Sequence, residues 1–427
     1  MAIVSIITQP AANALTAAYR PVALTVRAQR TDGQAVPPVV YCDIYFGGTY
    51  YKTVAKTQYA QLNSTDSDWF FDIEDAAQEF LQSSIADNGY PGIYWYQHAM
   101  ATTFCRFRSS GYDPNGFIVP EGTVPVQGTG GTSPVPGTGT QSNSFFVLNC
   151  QLQHTDNQDL ATHLRYQFAN TFTPGAATHA LPLTHRPYRY NVGLNDSDSY
   201  PFVSTQAQVL KLLRIKYKIK GTGVYNERET LVGDTLQAGV YSLPNGPKNL
   251  RPLFDSLDWS IIEEYFLELW NADSTLILTT CVNKVIDADN DICRVHFLNY
   301  LGTIDAVTFP KAQITHEDKN DEYVRPLPYP LTKTATSVQR FNVRSNDTYE
   351  VRSRQYPEDA LSWLQELKDS PMAFVEWTGT EGQPDSYLPI VVNSSKIDKQ
   401  KNQASGDYVY TFVMQFKLGN QNYSIRT

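Results

Sequence analysis

One stretch of the chain alternates apolar and basic side chains with great regularity: Val209-Leu-Lys-Leu-Leu-Arg-Ile-Lys-Tyr-Lys-Ile-Lys220. In an extended strand, one face would carry the apolar side chains of Leu213, Ile215, Tyr217 and Ile219. The opposite face would carry the basic side chains of Arg214, Lys216, Lys218 and Lys220. A two-residue period is typical of a half-exposed antiparallel β-strand, because a helix would spread the lysines around its axis. The basic row is predicted to be solvated or to contact an acidic neighbour, and its charges oppose edge-to-edge aggregation.

The composition of the whole chain agrees with a β-rich protein. Its 427 residues include 34 Lys and Arg against 43 Asp and Glu, so the formal net charge is −9. Charged residues make up only 18%, whereas aromatic residues make up 12% and include 27 Tyr. An acidic chain is a poor candidate for binding nucleic acid or an anionic membrane surface. No stretch approaches the roughly 20 apolar residues of a membrane span, so no membrane insertion is expected.

The sequence contains only weak signals for export, for disulfide bonds and for metal binding. The N-terminal Met1-Ala-Ile-Val-Ser-Ile-Ile7 has no cationic region before its short apolar run, so synthesis in the cytosol without a cleavable signal is expected. The five cysteines are odd in number and widely scattered, which predicts small buried side chains rather than a disulfide framework. We expect no metal and no cofactor.

Further strands and two helices follow from local patterns. Hairpins are predicted for 39–46 with 49–54 around Gly47-Gly48, for 265–270 with 275–279, and for 294–300 with 303–309. Asp72 and an apolar period of three to four residues predict a helix at 72–83. A second helix is predicted at 357–370, with Pro357 in its first turn and Pro371 after its end.

The predicted fold class is mainly β, with two or three antiparallel β-sandwich-like domains and two short helices. Residues 1–119 would form a β-sandwich with the first helix, and 143–310 and 311–427 two further β-rich regions, the last with the second helix. Between them, Pro, Gly, Thr and Ser occupy 17 of the 23 positions from 120 to 142. That segment is predicted to be a flexible linker or long loop, or else an arm that orders on a neighbouring subunit.

Motifs for catalysis are missing from the sequence, and no catalytic residue is predicted. Three acidic clusters imitate parts of a calcium loop: Asp66-Ser-Asp68, Asp196-Ser-Asp198 and Asp287-Ala-Asp289-Asn-Asp291. The third has Ile292 where a calcium loop needs glycine and Leu298 where it needs a glutamate. All three are interpreted as turns with incidental affinity for cations.

An aromatic cluster is the most interesting candidate for binding: Tyr90, Tyr94, Trp95 and Tyr96. Tyrosine and tryptophan beside polar residues serve as anchors at protein interfaces and as stacking platforms for sugars. Alternate members of Tyr94–Tyr96 could equally fill a sandwich core. Together with Lys216, Lys218 and Lys220, the four aromatic residues form the set of candidate interface residues.

Several phrases resemble virion structural proteins of phages that infect Bacteroidota, which are encoded near tail and neck genes. They are Trp69-Phe-Phe-Asp-Ile-Glu-Asp-Ala-Ala-Gln-Glu-Phe80, Leu181-Pro-Leu-Thr-His-Arg-Pro187, Asn195-Asp-Ser-Asp-Ser-Tyr-Pro-Phe202 and His296-Phe-Leu-Asn-Tyr-Leu-Gly302. The resemblance implies a β-rich assembly protein without catalytic residues, repeated in a ring of a tail, neck or baseplate. Its partners would be copies of itself and other virion proteins, assembled in the host cytoplasm. The alternative hypothesis is a carbohydrate-binding adhesin or cell-surface binding module.

Overall fold

The structure is a computed structural model. It describes residues 2–427 except 31–38, 58–59, 62–65, 84–91, 97, 113–117, 121–138, 152–159, 161–163, 165–179, 287–292, 328, 331–336, 378–385, 402–407, 420–423 and 426–427. The described residues form five β-sheets and a few short helices, so the mainly β prediction is confirmed.

Two sheets near the N-terminus pack face to face as a sandwich. The four-stranded sheet contains β1 (Ala2–Thr8), β3 (Ala23–Arg30), β6 (Ala60–Gln61) and β7 (Asp66–Asp72), in the order β1-β3-β7-β6. The seven-stranded sheet contains β2 (Leu15–Ala17), β4 (Val39–Phe46), β5 (Thr49–Thr57), β9 (Met100–Tyr112), β10 (Ile118–Pro120), β11 (Thr140–Gln141) and β12 (Phe145–Leu148). Its order is β2-β12-β9-β4-β5, with β10 and β11 also paired to β9.

The predicted Gly47-Gly48 hairpin is confirmed at the edge of this sheet. Strand β4 pairs antiparallel with β5 up to Phe46 opposite Thr49. The two glycines have φ of +59° and +81°, the left-handed values that a two-residue primed turn requires.

The first predicted helix exists but is shorter than expected. Helix α1 is Glu74–Phe80 rather than 72–83, because Asp72 still belongs to strand β7 and Leu81 adopts an extended backbone. The Asp72 Oδ1 nevertheless accepts the Glu74 N–H at 3.0 Å, as a capping side chain does. Ala76 and Ala77 face the sandwich core, which includes Trp69 and Phe71.

Two further sheets follow in the middle of the chain. A four-stranded sheet contains β8 (Tyr94–Tyr96), β13 (Ala180–Pro182), β15 (Ser199–Ser204) and β19 (Gly239–Pro244), in the order β13-β15-β19-β8. A seven-stranded sheet contains β14 (Arg189–Gly193), β16 (Gln208–Ile219), β17 (Tyr225–Leu231), β18 (Thr235–Leu236), β20 (Ile262–Asn271), β21 (Leu276–Thr279) and β22 (Val282–Ile286). Its order is β14-β22-β20-β16-β17, with β18 on β16 and β21 on β20.

The alternating stretch from Val209 is confirmed as a strand of this sheet. Leu213, Ile215 and Tyr217 of β16 are buried, and Arg214, Lys216 and Lys218 are half-buried on the opposite face. Strand β16 lies between β17 and β20 and is therefore an inner strand. The predicted hairpin of 265–270 with 275–279 is also confirmed, as β20 paired with β21.

The fifth sheet has eight strands. It contains β23 (Cys293–Leu298), β24 (Ile304–Phe309), β25 (Lys311–Val324), β26 (Val338–Arg352), β27 (Ala373–Trp377), β28 (Ser386–Lys401), β29 (Tyr408–Leu418) and β30 (Ser424–Ile425). Its order is β24-β23-β27-β28-β29-β26-β25, with β30 on β26. The pairing of β23 with β24 confirms the third predicted hairpin.

Two more helices lie in this half of the chain. The predicted helix at 357–370 begins as a 3-10 turn, Glu358–Ala360, and continues as α3, Leu361–Asp369. Its apolar face, Trp363, Leu364 and Leu367, is fully buried. Helix α2 (Pro247–Leu250) was not predicted, because four residues are too few to show a helical period.

Strand pairing crosses the limits of the predicted regions. Strand β12, from the region 143–310, extends the sheet of the first sandwich, whereas β8, from the region 1–119, extends the sheet that contains β19. Strands β23 and β24 belong to the same sheet as most of 311–427. The three regions therefore share sheets with one another.

The segment predicted as a linker or arm lies mostly outside the described residues, which omit 121–138. Both of its described ends pair with the same strand: Pro120 is opposite Ser110 of β9, and Thr140 is opposite Phe107.

The tip of the β23–β24 hairpin docks on the first sandwich through Gly302. The Ser83 hydroxyl donates to the Gly302 carbonyl oxygen at 2.6 Å, and the Asn149 side-chain amide donates to Ser83 Oγ at 2.7 Å. Gly302 has a φ of +78°, and a β-carbon placed there would lie 1.4 Å from the Asn149 carbonyl oxygen. Only glycine fits between this turn and the backbone of the sandwich.

We predict that Gly302→Ala lowers the free energy of unfolding by about 3 kcal/mol or more, because the added methyl group must displace backbone. Gly48→Ala is the matched control: Gly48 also has a positive φ, but a β-carbon there meets nothing within 4 Å. It should cost only about 1 kcal/mol of backbone strain. Thermal unfolding measures both, and equal losses would show that the contact with Asn149 is unimportant.

Candidate functional site

The aromatic strand β8 presents one residue to solvent. Tyr96 is buried and Tyr94 is half-buried, with their ring centroids 5.0 Å apart, whereas 53% of the Trp95 surface is exposed. Trp95 is opposite Tyr241 of β19 and packs over Gly239, where a β-carbon would lie 3.0 Å from the indole nitrogen. Tyr90 lies outside the described residues. Tyr96 therefore belongs to the core, and Trp95 is the member of strand β8 that is exposed enough to bind a partner.

The basic row of β16 is paired within its own sheet, as the prediction of an acidic neighbour requires. Arg214 contacts Glu229 on β17 at 2.5 Å, and Lys216 contacts Glu268 on β20 at 2.8 Å. Lys218 lies 3.5 Å from Glu263. Lys220, one residue beyond the strand, is exposed. The charges of this row are thus largely balanced by neighbouring strands.

A larger cluster of charges is completely buried, and the sequence did not reveal it. The Arg186 side chain has no exposed surface and makes two ion pairs, with Asp198 at 2.7 Å and with Asp305 at 2.8 Å. The Tyr190 hydroxyl donates to Asp198 Oδ2 at 2.6 Å. We name Arg186, Arg294, Asp196, Asp198 and Asp305 the buried charge cluster.

Arg294 forms the second half of the buried charge cluster. It lies 2.6 Å from Asp198 and 3.1 Å from Asp196. Asp196 Oδ2 also accepts hydrogen bonds from the Thr308 hydroxyl and the Gly193 N–H, both at 2.6 Å. The prediction of a turn is confirmed at Asp196, whose N–H donates to the Gly193 carbonyl oxygen at 3.1 Å. The predicted incidental affinity for cations is wrong, because both carboxylates are buried against arginines.

The other two acidic clusters have different outcomes. Asp66 and Asp68 lie in strand β7, not in a turn, and Asp68 pairs with Arg27 at 2.8 Å. The cluster at 287–291 falls outside the described residues. Among those that are described, no group of three or more His, Cys, Asp or Glu side chains could hold a metal ion.

Asp305 connects the buried charge cluster to helix α3 and to the turn before β14. Its Oδ2 accepts hydrogen bonds from the Thr184 hydroxyl at 2.7 Å, the Asn299 amide at 3.0 Å and the Trp363 indole N–H at 3.2 Å. Because these donors are neutral, Arg186 is the one cation that the described residues place against this carboxylate.

The arginines keep the central carboxylate ionised. Burial disfavours the charged form of Asp198, but Arg186 and Arg294 outweigh that effect and lower its pKa to about 2. Burial instead raises the pKa of Glu366, which contacts His185 beside the cluster. Because its charges are already paired, the buried charge cluster holds strands together and is closed to substrates.

The five cysteines are buried and free, as predicted. Burial raises the pKa of the Cys281 and Cys293 thiols to about 12 in each case, so both remain protonated and unreactive at neutral pH. No helix among the described residues is long and apolar enough to span a membrane.

A two-stranded ribbon formed by β25 and β26 is the most prominent exposed feature. The two strands pair from Lys311 opposite Arg352 to Val324 opposite Val338. Strand β26 joins β29 only at 349–352, and the two-residue β30 joins it only at 343–344. Over the remainder of its length this ribbon has no third strand among the described residues.

Apolar side chains cover the far part of the ribbon. Tyr329, next to its tip, is 97% exposed, and the other large exposed apolar residues there are Tyr323, Val324, Leu327 and Val338. Isolated two-stranded hairpins are marginally stable in water, and exposed apolar patches mark interaction sites. The ribbon is therefore the best candidate for a protein-binding element among the described residues, and no sequence motif marks it.

We predict that Arg186→Met lowers the free energy of unfolding by about 3–5 kcal/mol, because it leaves Asp305 buried without a cation. Arg214→Met is the control: it also removes ion pairs, but from a half-exposed side chain, and should cost less than about 1 kcal/mol. Denaturant unfolding monitored by tryptophan fluorescence gives both values. Similar small losses in the two variants would contradict a structural role for the buried charge cluster.

No protein-family model matches the chain, and no curated protein is significantly similar to it.

Proposed function

We propose that this chain is a non-enzymatic structural subunit of a phage particle, repeated in a ring of the tail, neck or baseplate. Its partners are copies of itself and other virion proteins, and it assembles in the host cytoplasm and stays in the virion. The observation that carries the proposal is the β25–β26 ribbon, which has exposed apolar side chains near its tip and, in the described part of the chain, no third strand along most of its length.

The sequence resemblance to phage structural proteins supports the same proposal. Two of its phrases supply members of the buried charge cluster, Arg186 from Leu181–Pro187 and Asp196 with Asp198 from Asn195–Phe202. A third phrase supplies Asn299, which donates to Asp305, and Gly302, which docks on the first sandwich. These phrases therefore serve the scaffold, as expected for a protein whose function is to hold a shape.

We predict that the wild-type chain forms closed rings, visible by electron microscopy and by the mass of the native assembly. Leu327→Ser with Tyr329→Ser should weaken assembly by about tenfold or more, because both apolar side chains are exposed in the monomer and would be buried in the ring. The thermal unfolding of the monomer should not change.

Leu231→Ser is the matched control, since Leu231 is 84% exposed on β17, outside the ribbon. It should leave the rings intact. A wild-type chain that remains monomeric at high concentration would contradict the proposed function.

A carbohydrate-binding module is the second candidate, and Trp95 is the observation in its favour. An exposed indole that packs next to Gly239 of the neighbouring strand offers a stacking surface for a sugar ring. On this alternative, Trp95→Ala reduces binding to a glycan array or to host cells about tenfold and leaves folding unchanged. Tyr188→Ala, at another exposed aromatic residue, serves as the control. Unchanged binding by Trp95→Ala would exclude Trp95 as a sugar platform.

A further inference from the structure

A groove rich in positive charge lies where the sheet of β14 and β22 meets the sheet of β26, β28 and β29. Its volume is about 470 Å³, which is in the range of pockets that bind small molecules. We name it the cationic groove, because its lining includes three cations, together with three amides, one serine and one threonine. The cations are Lys284, Arg352 and Arg354, and the amides are Asn191, Gln355 and Gln400.

Two different sheets supply the cations of the groove. On one side, Asn191 of β14 is the direct neighbour of Lys284 in the parallel pair of β14 with β22. On the other side, Arg352 is the last residue of β26, and Arg354 follows two positions later. The fold thus brings positive charges from two separate parts of the chain to one cavity.

These positive charges are uncompensated within the described part of the chain. Lys284, Arg352 and Arg354 are exposed, and none of their side chains makes an ion pair with a described residue. Glu264 lies opposite Lys284 on the neighbouring strand, but it accepts a hydrogen bond from the Tyr225 hydroxyl at 2.6 Å instead. Cations that line one cavity without a carboxylate concentrate positive potential there, which attracts an anionic group.

The types of cation favour phosphate as that anionic group. A guanidinium group presents paired N–H donors that match two phosphate oxygens, and a lysine ammonium adds a compact charge. A phosphomonoester carries about −1.5 to −2 charges at neutral pH. It therefore balances two arginines and a lysine better than a single carboxylate would.

The other residues of the groove favour a particular kind of ester. None of the described residues that line the groove is aromatic or aliphatic. A nucleobase would therefore lack a stacking partner, and a lipid chain would lack an apolar surface. The amides of Asn191, Gln355 and Gln400 can each donate and accept hydrogen bonds, as the hydroxyl groups of a sugar do. The phosphate is therefore expected to be attached to a polyhydroxylated group.

A second groove next to Arg352 limits the size of the ligand. It is lined by Glu350 and Asp398 as well as by Arg352. Glu350 lies two residues before Arg352 on β26, so at about 3.4 Å per residue their α-carbons are roughly 7 Å apart. Any polyanion that extended in this direction, whether a nucleic acid or an acidic peptide, would meet these carboxylates and be repelled. The site suits a compact ligand with one anionic group.

We propose that the cationic groove binds a small phosphomonoester of a polyhydroxylated molecule, which is the chemical class of the sugar phosphates. The three cations hold the phosphate oxygens, and the three amide side chains hydrogen-bond to the hydroxyl groups. This inference goes beyond the proposed function, because ligand binding in the groove does not depend on whether the chain forms rings.

Isothermal titration calorimetry of the full chain with glucose 6-phosphate tests the inference. The expected dissociation constant is on the order of 0.1–1 mM, as is usual for a small polar ligand. Glucose and inorganic phosphate should each bind at least about tenfold more weakly, because the first lacks the charge and the second lacks the hydroxyl groups.

A double variant, Arg352→Gln with Arg354→Gln, should weaken the binding of glucose 6-phosphate by at least about tenfold. The matched control is Lys56→Gln with Arg228→Gln, which removes the same charge from exposed positions outside the groove and should leave the affinity unchanged. None of these four side chains makes an ion pair with a described residue, so both variants should unfold at the wild-type temperature.

The inference would be overturned if glucose 6-phosphate did not bind at about 10 mM, or bound the groove variant as tightly as the wild type. Inorganic phosphate that bound as tightly as glucose 6-phosphate would also overturn it, because the hydroxyl groups would then go unrecognised. A single-stranded oligodeoxynucleotide that bound more tightly than the sugar phosphate, and only with the groove intact, would assign the groove to nucleic acid. Rings seen by electron microscopy would leave the proposed function standing in all of these cases.

Discussion

The ion pair between Arg186 and Asp305 constrains the rest of the structure. Both side chains are removed from water, and a buried charge is tolerated only where it is paired and hydrogen-bonded. Arg186 precedes strand β14, Asp305 lies in β24, and Asp198 immediately precedes β15. Three sheets must therefore meet at one point, because any displacement would leave a buried charge without its partner.

This constraint acts together with the apolar core. A large apolar core supplies most of the stabilisation, and the buried charge cluster fixes how its layers are oriented. The exposed ribbon can then be held at a defined angle to the rest of the chain. Under the proposed function, that angle would have to be the same in every copy for a ring to close.

Much of the secondary structure could be predicted from the sequence, and the physical reason is local. The alternation around Leu213 and Ile215 and the Gly47-Gly48 turn depend on residues close together in the chain, so pattern and propensity determine them. The limits of α1 depended on tertiary contacts instead: Asp72 was taken into strand β7, opposite Ala23. The pairing of β8 with β19 joins residues more than a hundred positions apart, which periodicity cannot indicate.

The candidate site was less predictable than the fold. The burial of Asp196 and Asp198 against arginines could not be predicted, because Arg294 lies 98 positions from Asp196 in the chain and the sign of a pKa shift depends on such partners. Trp95 could be identified as a candidate from its aromatic neighbours. The sequence did not indicate which residue of strand β8 faces the core, and the structure shows that Tyr96 is buried and Trp95 is exposed.

The pairing of β23 also has a consequence for synthesis on the ribosome. Its two neighbours in the sheet are β24, made immediately afterwards, and β27, made about 80 residues later. At about 5–20 residues per second, one edge of β23 waits roughly 4–16 s for its partner. During that interval the nascent chain exposes an unpaired strand rich in apolar side chains, which is the kind of surface that chaperones bind and that aggregates when they do not. Under the proposed function, many copies made at once would each pass through this stage, and the yield of particles would depend on how the host protects that edge.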